Sequence, residues 1–506
     1  MDNLFVRRSS FSLDRDREST WLSTSMLVLL FFIYSSYLFV QSYFDPEGYL
    51  TSDSAHYLQL AENFLAGDGM TTTDLIPGLS GYFATWPAGY PLMIAAVAWI
   101  PGIDVFWASK IVNCLMFALC LVLLDRLFGK RAPLVALVFF ISTSTEVFAY
   151  SWSEVPFIFG LIWLVYAIER YVTTDRLVFV WHLLLAGLFL FLARYIGLIG
   201  AGIVGLVGFY FLSERQWKQM LLCWIAGSIP IVFAGVYLWK NYRETGQPTG
   251  MERIPRPETV QEFWEMFWRG FVAEFNVLTT SSVVFLSYSI VLLVASVLLF
   301  VRWRHVRALF SVDREEMLIP FLFFFVGGIY FVAVVYMRWS SQFDPFNFRL
   351  LGPATMMFWL GIASWIAQLD GSGWVRWRNA LVLLFGVTFY VTVIYDSYNL
   401  MLSPSQNYKE TREQVLETYE EIPEGSIVAF ETVHARYLRT DLQYVKVHFQ
   451  PYFKEKETVD EFLERVTPNH AAGVYVEVKP LSDVRFHESF VRLMEEHKGE
   501  RFVRLE

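Results

Sequence analysis

Long apolar runs, separated by short polar connections, dominate the pattern of hydrophobic and polar positions up to about residue 400. A run of roughly 20 apolar residues is long enough to cross a bilayer core as a helix. The pattern predicts about eleven such helices, at 21–43, 104–125, 133–150, 154–172, 177–193, 196–212, 219–238, 281–302, 317–337, 347–367 and 377–396. We therefore expect an all-α polytopic membrane domain over residues 1–400.

The segment at 86–100 is apolar but shorter than a full span, and it is flanked by Pro87 and Pro101. We expect it to form a juxtamembrane or half-inserted helix that does not cross the bilayer. The alternative is a short transmembrane span, which would reverse the orientation of every later helix.

Residues 401–506 are far more polar than the rest of the chain and carry 20 acidic and 14 basic side chains. Within them, SIVAF and AAGVYVEV are typical of buried strands, whereas NYKETREQVLETYEE and TVDEFLERV have the period of amphipathic helices. The tail is therefore predicted to be a small soluble α/β domain. It contains no catalytic motif; covering a site in the membrane domain, contacting a substrate and packing alone remain alternative roles.

Basic residues predict the side of the membrane that each connection faces, because cytoplasmic loops are enriched in lysine and arginine. Four arginines precede the first apolar run, whereas residues 44–109 contain several carboxylates and no lysine or arginine. We expect the N-terminus inside, two large outer regions at 44–103 and 239–280, and the tail outside. The first run is too long for a cleavable signal, so we expect a signal anchor.

Four aromatic residues of the second outer region recur at helical spacing: Trp264, Phe267, Trp268 and Phe271. This spacing is typical of an interfacial helix that lies on the bilayer. Packing of the same face on the transmembrane helices is the alternative.

Composition supports a membrane protein and limits the other classes. The 506 residues are 55% hydrophobic, with a mean hydropathy of +0.40, and a soluble protein of this size is far more polar. The net charge of −9 gives no indication of a nucleic-acid partner. The three cysteines lie in apolar runs, so neither a disulfide framework nor a CxxC metal site is predicted.

Charged side chains beside apolar spans are expensive and are the first candidates for function. Outside the second loop and the tail, four outward cations stand out: Lys110, Arg194, Arg338 and Arg349. Arginine binds phosphate through a planar fork and lysine supplies a point charge, so all but Arg338 are candidates for a lipid-linked phosphate. Arg338 is interpreted as a helix-end anchor, and snorkelling to the interface is the alternative for Lys110.

Acidic and polar residues of the outer loops provide candidates for acid–base chemistry and substrate binding. Asp53 is placed to act as the general base for an acceptor hydroxyl, or else to cap the following helix. His56 and Tyr57 follow one turn later and are expected to contact substrate in the same pocket. Glu154 either binds sugar hydroxyls or caps its helix together with Ser153. No second histidine follows His56 at i+4, so no metal site is indicated.

Several segments, taken together and in this order, resemble the GT-C class of membrane glycosyltransferases. They are SDSAHYLQLAENFLAGDG, WPAGYPLMIAA, YSWSEVPF, LARYIGLIG, KNYRETGQPTG and FNFRLLGPA, and they cover most of residues 45–360. The chain is similar to bacterial relatives of the protein O-mannosyltransferases and to the lipid A aminoarabinose transferase. That class also has seven spans before its second large outer loop.

The resemblance implies transfer of a sugar from a polyprenyl-phosphate-linked donor to a lipid, glycan or protein acceptor among the membrane lipids. It implies an inverting displacement with Asp53 as base, and donor-phosphate binding by Lys110, Arg194 and Arg349. The protein O-mannosyltransferases have an adjacent Asp-Glu pair where this chain has Asp53 and Ser54, so the same acceptor and metal behaviour do not follow. No cofactor is expected; a divalent metal is compatible with the class but not indicated.

Two other classes share some of these features. A transporter or flippase also carries charge within membrane spans, but transporters usually contain internal repeats, and none is visible here. A non-catalytic envelope-assembly protein would keep the helices without needing Asp53 and the cations together. The expected location is the inner or plasma membrane, multi-pass, with the site and the tail extracytoplasmic.

Overall fold

Long apolar helices form most of the protein, and a small mixed sheet lies near the C-terminus. The computed structural model describes residues 17–74, 81–250, 258–274, 317–341, 346–368, 394–402, 406–445, 457–466, 472–479 and 487–505, with short stretches between 378 and 387. The predicted span at 281–302, and most of that at 377–396, lie outside the described residues.

The helices up to residue 402 surround one extended apolar core. They are α1 (Arg17–Phe44), α2 (Ser52–Ala66), α3 (Gly89–Ala98), α4 (Val105–Phe128), α5 (Ala132–Ala136), α6 (Ser142–Ala149), α7 (Glu154–Thr174), α8 (Leu177–Ala193), α9 (Ile199–Ser213), α10 (Trp217–Thr245), α11 (Val260–Glu274), α12 (Leu318–Ser340), α13 (Phe348–Gln368) and α14 (Asp396–Leu402).

Seven apolar helical segments in the described residues are long enough to cross a membrane. They are Trp21–Phe44, Val105–Phe140, Glu154–Thr174, Tyr195–Ser213, Trp217–Thr245, Leu318–Ser340 and Phe348–Gln368. The apolar helix α8 is shorter, with 17 residues. The prediction of an all-α, multi-pass membrane protein is confirmed, whereas the count of about eleven spans remains a prediction.

The predicted third span, 133–150, is not one continuous helix. Helix α5 passes into a 3₁₀ segment at Leu137–Phe140, and Ile141 is extended (φ −73°, ψ 152°) before α6 begins. Asn113 of α4 donates hydrogen bonds to the carbonyl oxygens of Phe148 and Tyr150, both at 2.8 Å. Buried backbone groups of a membrane protein need internal partners, and Asn113 supplies them where the helix ends.

The segment predicted not to cross the bilayer contains the ten-residue helix α3. At about 1.5 Å per residue, such a helix is roughly 15 Å long, half the thickness of a bilayer core. Its length therefore agrees with a juxtamembrane or half-inserted helix. It packs between α2, α4 and α8.

Helix α11 has two distinct faces, and each matches one of the alternatives derived from its sequence. Phe263 is 1% exposed and packs edge-on against Trp339 at 4.9 Å. Trp264 and Trp268 are more than half exposed, as in an interfacial helix.

The interpretation of Arg338 as a helix-end anchor is corrected by its surroundings. Arg338 is buried and donates two hydrogen bonds, of 2.7 and 2.9 Å, to Glu258.

The tail folds as the predicted α/β unit. Its strands are β1 (Ile427–Ala429), β2 (Gln443–Val445), β3 (Val474–Glu477) and β4 (Phe502–Leu505), and its helices are α15 (Tyr408–Tyr419), α16 (Ala435–Leu438), α17 (Val459–Val466) and α18 (Glu488–Glu496). The sheet order is β2-β1-β3-β4, parallel except for the antiparallel pair β3–β4. The sequence predicted β1, β3, α15 and α17 but missed the short strands β2 and β4.

The C-terminal unit packs on the end of the membrane domain that carries the loop between α1 and α4, the first loop. The rings of Phe106 and Tyr408 stack with centroids 3.6 Å apart, and Arg412 forms a 2.8 Å ion pair with Asp104. The tail therefore lies directly against the first loop, whose helix α2 carries Asp53.

Candidate active site

Four charged residues predicted from the sequence meet at one point, where α2, α7 and α13 begin and α8 ends. Arg349 Nη2 lies 2.5 Å from Asp53 Oδ2, and Arg349 Nε lies 2.7 Å from Glu154 Oε1. Arg194 Nη1 contacts the same Glu154 oxygen. Asp53, Glu154, Arg194 and Arg349 are called the charge cluster below.

Asp53 occupies the first turn of α2, where the helix dipole favours a carboxylate. The cap of this helix is Thr51, whose side chain accepts a hydrogen bond from the Ser54 N–H, so Asp53 is not needed for capping. The Asp53 side chain is 22% exposed. Arg349 thus holds the Asp53 side chain, which remains partly exposed at the protein surface.

Glu154 is the first residue of α7 and is fully buried. Ser153 makes no side-chain capping bond; its Oγ instead lies 2.9 Å from the Tyr57 hydroxyl. Among the described residues, Glu154 Oε2 has no hydrogen-bond partner. A buried carboxylate oxygen without a donor is costly, so Glu154 is ready to accept a hydrogen bond from a bound molecule.

A tight turn fixes Arg194 beside the carboxylates. Arg194 is extended (φ −152°, ψ 141°) at the end of α8 and is followed by a 3₁₀ turn, Tyr195–Leu198. A Cβ on Gly197 would lie 2.0 Å from the carbonyl oxygen of Leu190. Only glycine allows that close approach, which explains the motif LARYIGLIG around this arginine.

Aromatic rings that the sequence analysis did not select support Arg349. Its guanidinium lies 4.8 Å from the ring centre of Trp152, which stacks on Tyr150 at 4.0 Å. Trp152 Nε1 donates a 2.9 Å hydrogen bond to Thr51, the cap of α2. Guanidinium groups are attracted to tryptophan faces. The aromatic residues of YSWSEVPF were the only signal in the sequence for this platform.

The charges of the cluster balance, with two arginines against two carboxylates. Arginine prefers bidentate oxyanions such as phosphate, so a phosphate that enters here competes with Asp53 and Glu154 for the guanidinium groups. A carboxylate in an ion pair is a weaker base than a free one. The arrangement can therefore bind an anion and increase the basicity of Asp53 in the same step.

Tyr57 and His56, both predicted to contact substrate, have different surroundings. Tyr57 is buried beside Ser153, directly behind Glu154. Burial raises the pKa of the Tyr57 phenol, and the Glu154 carboxylate adds to this effect, so the hydroxyl remains neutral. His56 turns away from the charge cluster and lies 2.8 Å from Asp74. Both rings pack against Trp86, each with centroids 6.0 Å from it, so contact of the two residues with substrate stays a prediction.

Lys110 also lies apart from the arginines. It is fully buried, and its Nζ donates to the carbonyl oxygens of Gly48 at 3.0 Å and Ala149 at 2.6 Å. These contacts join the first loop to the end of α6. We therefore assign Lys110 a structural role in place of the predicted donor-phosphate role.

Replacing Lys110 by methionine is expected to lower stability without weakening donor binding. Each buried carbonyl left without its donor costs about 1–3 kcal/mol. Denaturant unfolding would measure the loss, and binding of polyprenyl phosphate would serve as the parallel measurement. A weakened affinity in a variant of unchanged stability would return Lys110 to the donor site.

Among the described residues, no group of three or more histidine, cysteine, aspartate or glutamate side chains is arranged to hold a metal ion. The carboxylates of the charge cluster both contact arginine instead.

The fold is that of the GT-C class of membrane glycosyltransferases. One structure that shares it is ArnT from Cupriavidus metallidurans bound to undecaprenyl phosphate, with a TM-score of 0.51, 14% identity, and coverage of 91% of this chain and 93% of that one. The structure of the same enzyme in the apo state matches this chain with a TM-score of 0.53. These matches confirm the fold that the sequence motifs implied.

A second structure with this fold is the archaeal oligosaccharyltransferase AglB from Archaeoglobus fulgidus, in complex with an inhibitory peptide and a dolichol-phosphate. The TM-score is 0.53 at 12% identity, over 96% of this chain and 74% of that one. No protein-family model and no curated protein matches the sequence. The likeness therefore lies in the three-dimensional fold.

Proposed function

We propose that the protein transfers a sugar from a polyprenyl-phosphate-linked donor to an acceptor hydroxyl at the outer face of the membrane. The observation that carries the proposal is the charge cluster, which combines an accessible carboxylate with two arginines on a GT-C fold. The lipid phosphates bound to ArnT and AglB support a donor of this chemistry.

In the proposed reaction, Asp53 accepts the proton of the acceptor hydroxyl as its oxygen attacks the anomeric carbon. The new carbon–oxygen bond forms on the face opposite the phosphate, so the configuration at that carbon inverts. The bond between the anomeric carbon and the phosphate oxygen breaks, and polyprenyl phosphate leaves with the electron pair. Arg194 and Arg349 stabilise the charge that develops on the phosphate.

Arg349 connects donor binding to the activity of the base. Without donor, its guanidinium is shared between Asp53 and Glu154. A phosphate that takes over part of this guanidinium loosens the pair with Asp53, whose carboxylate then accepts a proton more readily. Asp53 therefore becomes an effective base only when donor is present.

Glu154 has two tasks in this scheme. Through Oε1 it holds both arginines in place, and through Oε2 it accepts a hydrogen bond from a sugar hydroxyl. Contacts to sugar hydroxyls orient the anomeric carbon for attack.

Transfer assays in proteoliposomes test the proposal. Purified protein, a polyprenyl-phosphate sugar and a mixture of lipid and glycan acceptors should yield free polyprenyl phosphate and a glycosylated product. Movement of intact donor across the bilayer without cleavage would instead identify a flippase. If the protein showed neither transfer nor movement of donor, the result would support an assembly role.

The outer location of the site is tested by thiol labelling in intact cells. The three native cysteines are buried and should react little with the reagent; they are Cys114, Cys120 and Cys223. Single cysteines can therefore be introduced at the exposed positions Asp68, Glu496 and Glu214 and their labelling compared. An impermeant reagent should label the first two before lysis and the third only after it. The reverse pattern would invert the proposed orientation.

A further inference from the structure

A second buried group of charges joins the C-terminal unit to helix α2, one turn from Asp53. Arg436 of α16 forms ion pairs with Asp74 of the first loop and with Glu431 of its own unit. Arg436 Nη1 also lies 3.2 Å from Nε2 of His56, which is 2.8 Å from Asp74 Oδ2. Arg436, Glu431, Asp74 and His56 are called the latch below.

Three residues of the latch are buried, since Arg436 is 1%, His56 0% and Asp74 8% exposed, and Glu431 is partly buried at its edge. Two further hydrogen bonds run beside it: the backbone N–H of Tyr444 donates to the Thr73 carbonyl at 2.9 Å, and the side-chain amide of Gln59 donates to the Arg436 carbonyl at 3.2 Å. The C-terminal unit is thus bonded both to α2 and to the chain that follows it.

Adhesion alone does not account for the latch. Replacing buried ion pairs by apolar side chains is often neutral or stabilising, and the stacked rings of Phe106 and Tyr408 show that this interface also uses apolar contacts. Buried ionic contacts differ from apolar ones in fixing direction and distance. The contacts of the latch are therefore suited to fixing the orientation of α2.

His56 connects the latch to the backbone that carries Asp53. Its Nδ1 lies 2.5 Å from the carbonyl oxygen of Ser52. A carbonyl oxygen only accepts, so Nδ1 carries a proton. The Asp74 carboxylate likewise accepts at Nε2, and Asp74 is paired in turn with Arg436. The imidazole ring thus extends from the Asp74–Arg436 pair to Ser52, whose carbonyl carbon is bonded to the nitrogen of Asp53.

We propose that Arg436 is a positioning residue for the transfer reaction. Through His56 it holds the first turn of α2 in the orientation that places the Asp53 carboxylate against Arg349. The C-terminal unit is then a working part of the enzyme. This inference rests on the function proposed for Asp53.

Turnover measurements test the role of the latch. Arg436→Gln and His56→Asn are expected to lower kcat about ten- to hundredfold, because a misplacement of about 1 Å can cost that much. Donor affinity should be retained or increased, since Arg194 and Arg349 are untouched and a displaced Asp53 competes less for Arg349. Asparagine at position 56 can donate to Ser52 but cannot at the same time reach Asp74, which is paired with Arg436. Arg436→Lys should restore part of the activity, because it keeps the charge without the fork.

The double variant and a matched control separate positioning from general damage. Because Arg436 and His56 act on one path, combining Arg436→Gln with His56→Asn should cost no more than the worse single change. Arg412→Gln removes another ion pair between the same two parts of the protein, with Asp104, and should leave kcat unchanged. Additive losses, or an equal loss in the control, would overturn the proposal.

Hydrogen exchange provides a readout that needs no transfer activity. In the full-length protein, the latch variants should accelerate amide exchange at residues 53–58, and Arg412→Gln should not. A wild-type protein that transfers no sugar would refute the proposed function, while the exchange data would still decide whether the latch holds α2. Unchanged exchange at α2 in Arg436→Gln would refute the inference even in an active enzyme.

Discussion

Replacing Asp53 by asparagine is expected to lower turnover by about 10²- to 10⁴-fold, the usual contribution of a positioned general base. Asparagine keeps the shape of the side chain and still accepts a hydrogen bond from Arg349, but it cannot take the proton of the acceptor. Thr51 caps α2 in either case, so the fold is retained. Transfer of sugar from a polyprenyl-phosphate donor under saturating conditions is the measurement.

The affinity of the Asp53→Asn variant for the donor is a second quantity to measure. Loss of the Asp53 charge leaves Arg349 less neutralised, so polyprenyl phosphate should bind as well as or better than in the wild type. Asp68→Asn is the matched control, because Asp68 follows the same helix but is exposed at its other end. Near wild-type turnover in Asp53→Asn would place the base elsewhere, and Glu154 would be the next carboxylate to replace.

Periodicity and length were enough to predict an all-α, multi-pass membrane protein with a small α/β unit near the C-terminus. Apolar runs of 20 or so residues specify spans because the bilayer sets the length, and the polar tail was recognised by its change of composition. The break at Ile141 was missed, although the apolar run gives way there to the polar residues 142–146. The side chain of Asn113, which binds carbonyl oxygens at the end of the following helix, could not be placed there from sequence. Strands β1 and β3 were predicted because they lie in the longer apolar segments SIVAF and AAGVYVEV. Strands β2 and β4, with the sequences QYV and FVRL, contain polar residues and do not stand out from their surroundings.

Prediction was less complete for the site. Arg194, Arg349, Glu154 and Asp53 each stood out as a charge at the end of an apolar run, and the structure brings these four together. Lys110 gave the same sequence signal, and only its two carbonyl partners distinguish its role.

The latch could not be predicted from local sequence patterns. Arg436 lies in a polar tail where an arginine is expected to be exposed, and its partners Asp74 and His56 are more than 350 residues away. Nothing local in the sequence marks such a residue as buried. Only the packing of the two units against each other reveals it.

Replacing Arg349 by alanine is expected to weaken binding of polyprenyl phosphate about ten- to hundredfold, since a charge-assisted hydrogen bond contributes roughly 1.5–3 kcal/mol. Arg194→Ala should act in the same direction. Lysine at position 349 should recover only part of the affinity, because it cannot reproduce the fork or the stacking on Trp152. Equilibrium binding of the lipid phosphate to purified protein measures the effect.

The balance of charges in the cluster predicts that Arg349→Ala changes donor affinity and turnover to different extents. Without Arg349, Asp53 has lost the partner that weakens it as a base, so turnover at saturating donor should fall less than affinity does. Arg243→Ala is the matched control, since Arg243 also lies over a tryptophan, Trp239 at 5.2 Å, but outside the charge cluster. Unchanged donor affinity in both Arg349→Ala and Arg194→Ala would remove these arginines from the donor site, and with them the exchange of partners proposed to activate Asp53.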